Sequence, residues 1–549
     1  MYKVTDWRAH TAFPTSGQHD PRLSMRWYCY VDLELDGARK TAHRSFRLHN
    51  GTRTVDQPGN DSEPWGPCHH ACAGLHGLGV RVPAVLKEHD VKHLSKHGSM
   101  MVRCAGAAVL TLTALLTILP ACGSAAGSTA VATNDFLDSI GIVTTFPDRG
   151  QPLAKTIEMV RYCGFRWVRA GIEGLSDRGP TTLQTFLDLH RETGVRLSWG
   201  LVSGGSDVKK LIEAAKVLAK AGTLLAFEGN NEPNNWGVTY QGEKGGGKAP
   251  SWLAVAKLQR DLYEAVKSDQ LLAKYPVWSI SEPGAQPENV GLQFLTIPRG
   301  AKTLMPDGTR YADYANVHNY IYHPNSPHPS DNRTWDAADP TAASKVDGLF
   351  GNFGITWSKK FQGYTQEQLD TLPRVTTETG ALIDGQITED IHALNLLSIY
   401  LAQFKRGYKH TAVYLLRDRT DEGGNQSFGF YRRDYTPRRA AVYLHNLTTI
   451  LADKATVAKA GQLDFTIPEQ PKTVHELLLQ RSDGSFQLVV WGERLSGQDR
   501  VTVRFGAKHA QVKIYDPTIG IEPTQTLVNV NSLDLTLSDH PLVIAIQPK

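Results

Sequence analysis

Two glutamates stand at the ends of apolar, β-branched segments and could act together on one substrate. Glu232 follows Asn231 at the end of one such segment, and Glu378 ends another. One protonated and one ionised carboxyl group, about 5–5.5 Å apart, form the pair that cleaves a glycosidic bond with retention of configuration. Burial favours the protonated partner, and a nearby cation favours the ionised one. Arg169, at the end of a third segment, could supply that cation, because a buried arginine needs an anionic partner.

The segments that carry these residues belong to a regular alternation of short apolar runs and longer helical stretches. Eight apolar runs are present, at 139–146, 165–172, 195–201, 224–233, 276–283, 314–320, 374–381 and 410–418. The stretches 206–222 and 252–268 between them have apolar residues at three- and four-residue spacing, which is typical of amphipathic helices. Eight strand–helix units in roughly 300 residues predict an α/β fold, a (β/α)8 TIM barrel over residues 135–453. The alternative is an open doubly wound sheet, which usually has a Gly-rich phosphate loop after its first strand; here that strand ends Thr-Thr-Phe-Pro.

The barrel prediction places the two glutamates at one opening. Functional side chains of TIM barrels lie at the carboxyl ends of the strands, and Glu232 and Glu378 end the fourth and seventh strands. Glu228 lies deeper in the fourth strand, so we interpret it as a buried, paired carboxylate. Glu282 ends the fifth strand and could line the cleft. Only Glu232 follows an asparagine at a strand tip, which favours it over Glu228 as the reactive group.

The strand ends resemble clan A of the glycoside hydrolases, a group of retaining TIM-barrel glycosidases, with family 39 as the nearest member. The resemblance rests on Asn231-Glu232, on Glu378 and on the His-x-Tyr end of the sixth strand, His318-Asn319-Tyr320, and it covers roughly residues 135–450. It implies that Glu232 is the acid/base and Glu378 the nucleophile. It also implies that Asn231 binds the sugar 2-hydroxyl, that Tyr320 and Arg169 bond to the nucleophile, and that His318 supports the site.

The eighth strand departs from the clan pattern, in which many members have a tryptophan platform at this point. Here the strand ends Leu-Leu-Arg417-Asp418. Either a charged residue faces the sugar, which would indicate an acidic or unusually substituted substrate, or the two residues form a structural pair. Stacking could come from another tryptophan near a predicted loop: Trp199, Trp236 or Trp357. Trp236 is the first choice, because it follows the acid/base by four residues.

The loop 420–431, TDEGGNQSFGFY, is acidic and rich in glycine. Such loops sometimes bind Ca²⁺, but this one lacks the EF-hand spacing. We interpret it as a loop that lines the cleft without a metal, and the sequence predicts no cofactor.

An export signal lies inside the chain. Residues 100–122 combine a basic start, an apolar run and the ending Leu119-Pro120-Ala121-Cys122, which resembles a bacterial lipoprotein signal. A membrane-spanning anchor is the alternative. We expect an exported lipoprotein, periplasmic or at the cell surface, that touches the membrane through a lipid on Cys122. Residues 123–134 would be a linker and residues 1–99 a non-native or disordered extension.

The rest of the chain fits a globular protein. The 549 residues are 41% hydrophobic, and the net charge is +4 without a dense Lys/Arg run beyond the first hundred residues, so nucleic acid is not an expected partner. Residues 454–549 alternate apolar and polar positions without helical patterns, which predicts a β-sandwich.

The leading hypothesis is a glycosidase that hydrolyses O-glycosyl bonds of a polysaccharide or oligosaccharide by double displacement. Two alternatives keep the same barrel. One is a carbohydrate-binding surface protein without activity, although binding alone does not require a matched pair of carboxylates. The other is a transglycosylase that passes the sugar to an acceptor other than water.

Overall fold

The computed structural model divides the chain into two units, Met1–Thr117 and Ile118–Lys549. It describes residues 127–547 except 145, 148–149, 282–294, 298, 301–302, 323–328, 340–364, 366 and 368–370, together with the strands before residue 55. Those strands form an antiparallel sheet in the first unit: β1 (Lys3–Val4), β2 (Ala9–His10), β3 (Arg26–Leu35), β4 (Ala38–His49) and β5 (Thr52–Thr54). The predicted signal at 100–122 lies outside the described residues. Among the residues that are described, none of the helices combines the length and apolar character needed to cross a membrane.

Strands and helices alternate through most of the second unit. In chain order the elements are β6 (Ser128–Thr129), β7 (Val131–Ala132), α1 (Thr133–Leu137), β8 (Ile140–Val143), α2 (Leu153–Cys163), β9 (Trp167–Gly171), α3 (Leu183–Thr193), β10 (Arg196–Gly200), α4 (Val208–Lys220), β11 (Leu224–Glu228), β12 (Val238–Tyr240), β13 (Glu243–Gly245), α5 (Leu253–Ser268), β14 (Val277–Trp278), β15 (Ala315–His318), α6 (Arg333–Ala337), β16 (Arg374–Thr379), α7 (Glu389–Lys405), β17 (Tyr408–Tyr414) and α8 (Arg439–Ile450).

Eight of these strands form a parallel barrel. Their order is β14-β11-β10-β9-β8-β17-β16-β15, and the two end strands approach each other, since the Ser279 N–H donates to the Tyr314 carbonyl at 2.9 Å and the Asp313 N–H to that of Val277 at 2.7 Å. All eight predicted strands are present, and the predicted helices at 206–222 and 252–268 are α4 and α5. The predicted fold class is therefore confirmed, and the doubly wound alternative is excluded.

The sequence explains why these elements form. In α4 the Asp207 side chain caps the helix by accepting from the Lys210 N–H at 2.9 Å, and Leu211, Ala214, Ala215 and Leu218 are buried at three- and four-residue spacing. In the barrel interior, Trp167 and Trp278 meet edge to face at 5.4 Å. A Cβ atom on Gly141 would lie 2.0 Å from the Trp167 ring, so only glycine leaves room for that side chain.

A second, antiparallel domain follows the barrel. Its strands are β18 (Gln462–Leu463), β19 (Phe465–Thr466), β20 (Val474–Gln480), β21 (Phe486–Gly492), β22 (Asp499–Tyr515), β23 (Pro523–Leu537) and β24 (Pro541–Ile546). Leu477, Leu479 and Trp491 belong to the barrel core, whereas the alternate residues Leu478 and Val490 belong to a separate core. One face of the central sheet therefore packs on the barrel and the other within the domain.

Residues before the barrel complete this domain. The strand β7 pairs in parallel with β20, with Val131 opposite Leu479, and β6 pairs with β18. The segment 123–134, which we expected to be a linker, therefore contains two strands of the folded unit and the start of α1.

An aromatic stack and a carboxylate join the two domains. The His475 ring of β20 stacks on Trp335 of α6 with centroids 4.0 Å apart, and the Arg406 guanidinium lies over the same indole at 4.6 Å. Glu493 accepts from the backbone N–H groups of Thr334 at 3.1 Å and Trp335 at 3.0 Å, at the start of α6. Burial, with the charge of Arg406, lowers the pKa of His475 to about 3.

The His475 contact predicts that the protein loses stability in mild acid. The unfolded chain takes up a proton at this residue below pH ~6.5, whereas the folded protein does so only near pH 3, so the free energy of unfolding falls by about 1.4 kcal/mol per pH unit between those values. A His475→Gln variant should lack this contribution. Between pH 6.5 and 5 its free energy of unfolding should therefore fall by about 2 kcal/mol less than that of the wild type. Urea unfolding of both proteins at pH 7 and pH 5 tests this; parallel losses would show that His475 does not contribute.

Candidate active site

Side chains from four barrel strands converge at the carboxyl end of the barrel. Arg169 lies in β9, Glu228 ends β11, His318 ends β15 and Glu378 is the next-to-last residue of β16. His318 and Glu378 are register partners in neighbouring strands. The barrel register thus brings together residues that are far apart in the sequence.

Glu232 is positioned by the turn that follows β11. Its N–H donates to the Ser281 carbonyl at 2.9 Å, and its own carbonyl accepts from the N–H groups of Asn235 and Trp236, both at 2.8 Å. The φ angle of Glu232 is +41°, a region that residues with a side chain rarely adopt outside constrained, often functional, positions. This turn places the Glu232 carboxylate above the end of the strand, facing Glu378.

Arg169 connects the fourth and seventh strands. Its Nη2 donates to Glu228 Oε1 at 2.6 Å and to Asn231 Oδ1 at 2.9 Å, and its Nη1 donates to Glu378 Oε1 at 2.5 Å. A guanidinium has only donors, so it stabilises Glu228 and Glu378 as carboxylates. Glu228 is 1% exposed, which confirms that it is a buried, paired carboxylate.

The two glutamates at the barrel opening share His318. The His318 Nδ1 lies 2.7 Å from Glu232 Oε1 and 3.4 Å from Glu378 Oε2. The Tyr320 hydroxyl donates to Glu378 Oε2 at 3.0 Å, and the Asn235 amide donates to Glu232 Oε2 at 2.9 Å. A carboxylate oxygen of each glutamate and a ring nitrogen of His318 lie within 4.8 Å of one another.

The surroundings of the two glutamates favour an ionised Glu232 and a protonated Tyr320 beside Glu378. Burial raises the pKa of Glu232, but the hydrogen bond and charge of His318, the Asn235 amide and the charge of Arg169 lower it, and the pKa lies below its ordinary value. Burial and the charge of Glu378 hold the pKa of Tyr320 well above its ordinary value, so its hydroxyl remains a donor to Glu378.

The spacing of Glu232, His318 and Glu378 would also be compatible with a bound metal ion. However, both oxygens of Glu378 already accept hydrogen bonds, from Arg169 and Tyr320. A guanidinium at this distance repels a cation as well. The arrangement is therefore better suited to proton transfer and nucleophilic attack than to metal binding.

A cavity of about 640 Å³ opens over these side chains. Six of the seven predicted site residues line it: Arg169, Asn231, Glu232, Tyr320, Trp236 and Glu378. The seventh, His318, is fully buried behind Glu232. Trp236 is 55% exposed at the cavity wall, as expected of a residue that could stack on a sugar.

Four aromatic residues of the cavity were not predicted as site residues: Phe146, Phe186, Tyr414 and Phe428. Tyr414, the last residue of β17, and Phe428 line the wall, with ring centroids 5.4 Å apart. They stand near the end of the eighth strand, in the region where the sequence has no tryptophan. The predicted strand extended to residue 418, but β17 ends at Tyr414, and this earlier end is what places Tyr414 at the opening.

Arg417 and Asp418 neither face the cavity nor form a pair with each other, which were the two expectations for them. Both are buried, and neither lines the cavity. Asp418 forms its ion pair with Arg438 at 2.5 Å, whereas Arg417 donates to the Arg433 carbonyl at 3.2 Å and lies over the Tyr435 ring at 4.9 Å. Arg417 therefore gives no reason to expect an acidic substrate.

The loop 420–431 reaches the cavity, as predicted. Glu422, Gln426 and Phe428 line it together with Arg419. Trp199, considered above for stacking, is instead fully buried. Glu282 and Trp357 lie outside the described residues.

Comparison with known proteins gives similarity of structure only. No model of a protein family matches the chain, and no curated protein does. Similar solved structures share the fold at low sequence identity. A family 39 glycoside hydrolase from Bacteroides cellulosilyticus is 12% identical with a TM-score of 0.48, covering 95% of this chain and 88% of its own. A family 51 α-L-arabinofuranosidase from Bifidobacterium longum is 10% identical with a TM-score of 0.46, covering 77% and 97%. A bifunctional glucanase-xylanase from a metagenome library is 14% identical with a TM-score of 0.45, covering 75% and 99%.

Proposed function

We propose that this protein is a retaining glycoside hydrolase that cleaves O-glycosidic bonds of a polysaccharide or oligosaccharide, with Glu232 as acid/base and Glu378 as nucleophile. One observation carries the proposal. Carboxylate oxygens of the two residues lie within 4.8 Å of each other on the wall of a cavity large enough for sugar rings. This spacing suits direct attack on the sugar, because an inverting enzyme needs about 6.5–9.5 Å between the carboxyl groups to admit a water.

In the first step, a Glu378 oxygen attacks the anomeric carbon as the bond to the leaving oxygen breaks. The electron pair of that bond goes to the leaving oxygen, which takes a proton from Glu232. Arg169 and Tyr320 donate hydrogen bonds to Glu378 and orient it before the attack. In the second step, Glu232 removes a proton from water, and the water oxygen displaces Glu378 from the sugar.

Asn231 would bind the sugar beside the reacting carbon. Its side chain lines the cavity and is fixed at both ends, since Oδ1 accepts from Arg169 at 2.9 Å and Nδ2 donates to the Ser203 hydroxyl at 3.1 Å. A sugar 2-hydroxyl that replaced the Ser203 contact would keep the amide satisfied. Hydrogen bonds to this hydroxyl strengthen in the transition state of glycoside cleavage.

The charges on the cavity wall favour an uncharged sugar. Of the described cavity residues, Arg169 and Arg419 are the cationic ones. Glu228 and Glu378 already engage Arg169, and Asp421 and Glu422 engage Arg419. An anionic sugar would have to displace one of these carboxylates, and like charges brought together cost several kcal/mol.

Trp236 should increase the affinity for substrates that extend past the cleaved bond. The ring is exposed at the cavity wall, four residues after the proposed acid/base, and aromatic rings stack on apolar sugar faces. Trp236→Ala is expected to lower kcat/KM for oligosaccharides about 10-fold and to leave aryl monoglycosides nearly unchanged. Trp236→Phe, which keeps a ring, is the matched control. Equal losses on both substrate types would contradict a stacking role.

Hydrolysis of a substrate panel tests the proposed function. The panel should contain neutral aryl glycosides, uronic acid glycosides and polysaccharides, with the product configuration followed by NMR. We expect activity on a neutral member, with retained configuration in the first-formed product. Sugar transfer to an added alcohol would identify a transglycosylase. Binding without turnover across the panel would contradict the proposal and support a carbohydrate-binding role.

A further inference from the structure

We propose, on the basis of the proposed function, that His318 and Glu232 form a proton-donating pair, and that buried Thr377 and Glu228 hold the imidazole with its Nε2 protonated. His318 and Thr377 do not line the cavity and both are fully buried. They would therefore act through Glu232 as positioning residues, not as catalytic residues.

The hydroxyl of Thr377 contacts side chains from the fourth and sixth strands. It lies 2.9 Å from Glu228 Oε1, 3.1 Å from His318 Nε2 and 3.0 Å from Asn316 Nδ2. Asn316 is fixed in this orientation because its Oδ1 accepts the backbone N–H of Thr377 at 3.2 Å. A threonine hydroxyl donates one hydrogen bond and accepts two. Besides Glu228, Asn316 Oδ1 at 3.1 Å is a second candidate acceptor for its proton.

The Thr377 hydroxyl donates its single proton in a hydrogen bond to Glu228. Glu228 accepts two further hydrogen bonds from Arg169, through Nε at 3.1 Å and Nη2 at 2.6 Å, so it is a carboxylate and can only accept. Bonds to an ionised acceptor are stronger than bonds between neutral groups. Thr377 therefore donates to Glu228 and accepts from His318, which requires a hydrogen on His318 Nε2.

With Nε2 protonated, the exchangeable position of His318 is Nδ1. This nitrogen faces Glu232 Oε1 at 2.7 Å. The pair then holds one proton between them: either an imidazolium donates to ionised Glu232, or protonated Glu232 donates to neutral imidazole. A neutral imidazole with its hydrogen on Nδ1 is excluded, because its bare Nε2 would face the Thr377 oxygen without a proton between them.

Nucleophilic attack would drive the proton toward the leaving group. Glu378 Oε2 lies 3.4 Å from His318 Nδ1, so the imidazolium has a carboxylate on either side. When Glu378 forms its bond to the anomeric carbon, it loses its negative charge, and one of the two groups that stabilise the imidazolium disappears. The Nδ1 proton then passes to Glu232 while Glu232 protonates the leaving oxygen. The return of a proton from water in the second step restores the imidazolium.

The charged and titratable groups around His318 come from the second, fourth, sixth and seventh strands or from the turns that follow them. The fourth strand and its turn contribute Glu228 and Glu232, and the seventh contributes Glu378. Arg169 from the second strand binds Glu228 and Glu378, and Tyr320 binds Glu378. His318 therefore lies among three carboxyl groups and one guanidinium, with Glu232 as the carboxyl group nearest to its Nδ1.

Replacing Thr377 tests this inference. Thr377→Val keeps the shape but removes the acceptor for Nε2–H, whereas Thr377→Ser keeps the hydroxyl as a matched control. We expect Thr377→Val to lower kcat/KM about 10-fold for alkyl glycosides, whose leaving oxygen needs a proton, and less than about 3-fold for dinitrophenyl glycosides. The basic limb of its pH profile should move down by about one unit, and Thr377→Ser should match the wild type.

Equal losses on both leaving groups, an unmoved basic limb or an impaired Thr377→Ser would overturn the inference. Imidazole ¹⁵N NMR of histidine-labelled wild-type protein, assigned with a His318→Gln variant, tests the protonation directly without depending on how Thr377→Val folds. Nε2 should stay protonated while Nδ1 titrates, and a bare Nε2 would refute the proposal. A wild-type protein without glycosidase activity would instead refute the proposed function, and the NMR result would still decide the protonation of His318.

Discussion

Glu378→Ala is expected to lower kcat on the order of 10⁴-fold or more on every glycoside that the protein hydrolyses. The variant lacks the carboxylate that we propose as the nucleophile, which Arg169 and Tyr320 hold in position. The loss should be similar for good and poor leaving groups, because the new bond to carbon is needed in both cases. Initial rates on aryl glycosides measure it, with Glu213→Ala as a control, since Glu213 is an exposed residue of α4.

Azide provides the decisive second measurement. Removal of the Glu378 carboxylate leaves space on the face that it attacks, and azide can enter from that side while Glu232 still protonates the leaving oxygen. We expect part of the rate to return and the product to be a glycosyl azide of inverted configuration. An active Glu378→Ala protein without azide would remove Glu378 from the nucleophile role. A retained azide product would place the nucleophile on another residue.

The barrel could be predicted because its strands are buried on both faces. Parallel strands of this kind are continuous apolar runs, and 140–143 (IGIV) or 224–227 (LLAF) can be recognised as such in the sequence. Their ends were less certain, because a strand end depends on pairing with its neighbours. The eighth strand ends at Tyr414 instead of residue 418, and this difference concealed Tyr414 and gave Arg417 a role that it does not have.

Long-range contacts limited the rest of the prediction. The strands β6 and β7 have two residues each, too few for any periodicity, and they form only because partners from the carboxy-terminal domain lie beside them. The hydrogen bond from Thr377 to Glu228 has the same origin. A threonine inside a β-branched run is an ordinary strand residue in the sequence, and its contacts appear only when the fourth, sixth and seventh strands are assembled.

Glu232→Ala is expected to separate substrates by their leaving groups. For alkyl glycosides, which need a proton on the departing oxygen, kcat/KM should fall about 10²- to 10⁴-fold. Dinitrophenyl glycosides should still react in the first step, because their leaving group is stable as an anion. The basic limb of the pH profile should disappear on such substrates, since the variant has no acid proton to lose. Equal losses for both leaving groups would contradict the acid/base role.

The second step of the reaction gives the same variant a distinct signature. Glu378 is intact in Glu232→Ala, so the glycosyl intermediate forms, but water must attack it without a base. The intermediate should accumulate, and rapid mixing with a dinitrophenyl glycoside should show a burst of phenol equal to the enzyme concentration. Azide needs no base and should accelerate turnover to a glycosyl azide of retained configuration. Opposite azide configurations from the Glu232 and Glu378 variants would assign the two roles independently of any rate, because each configuration records which face of the sugar was open.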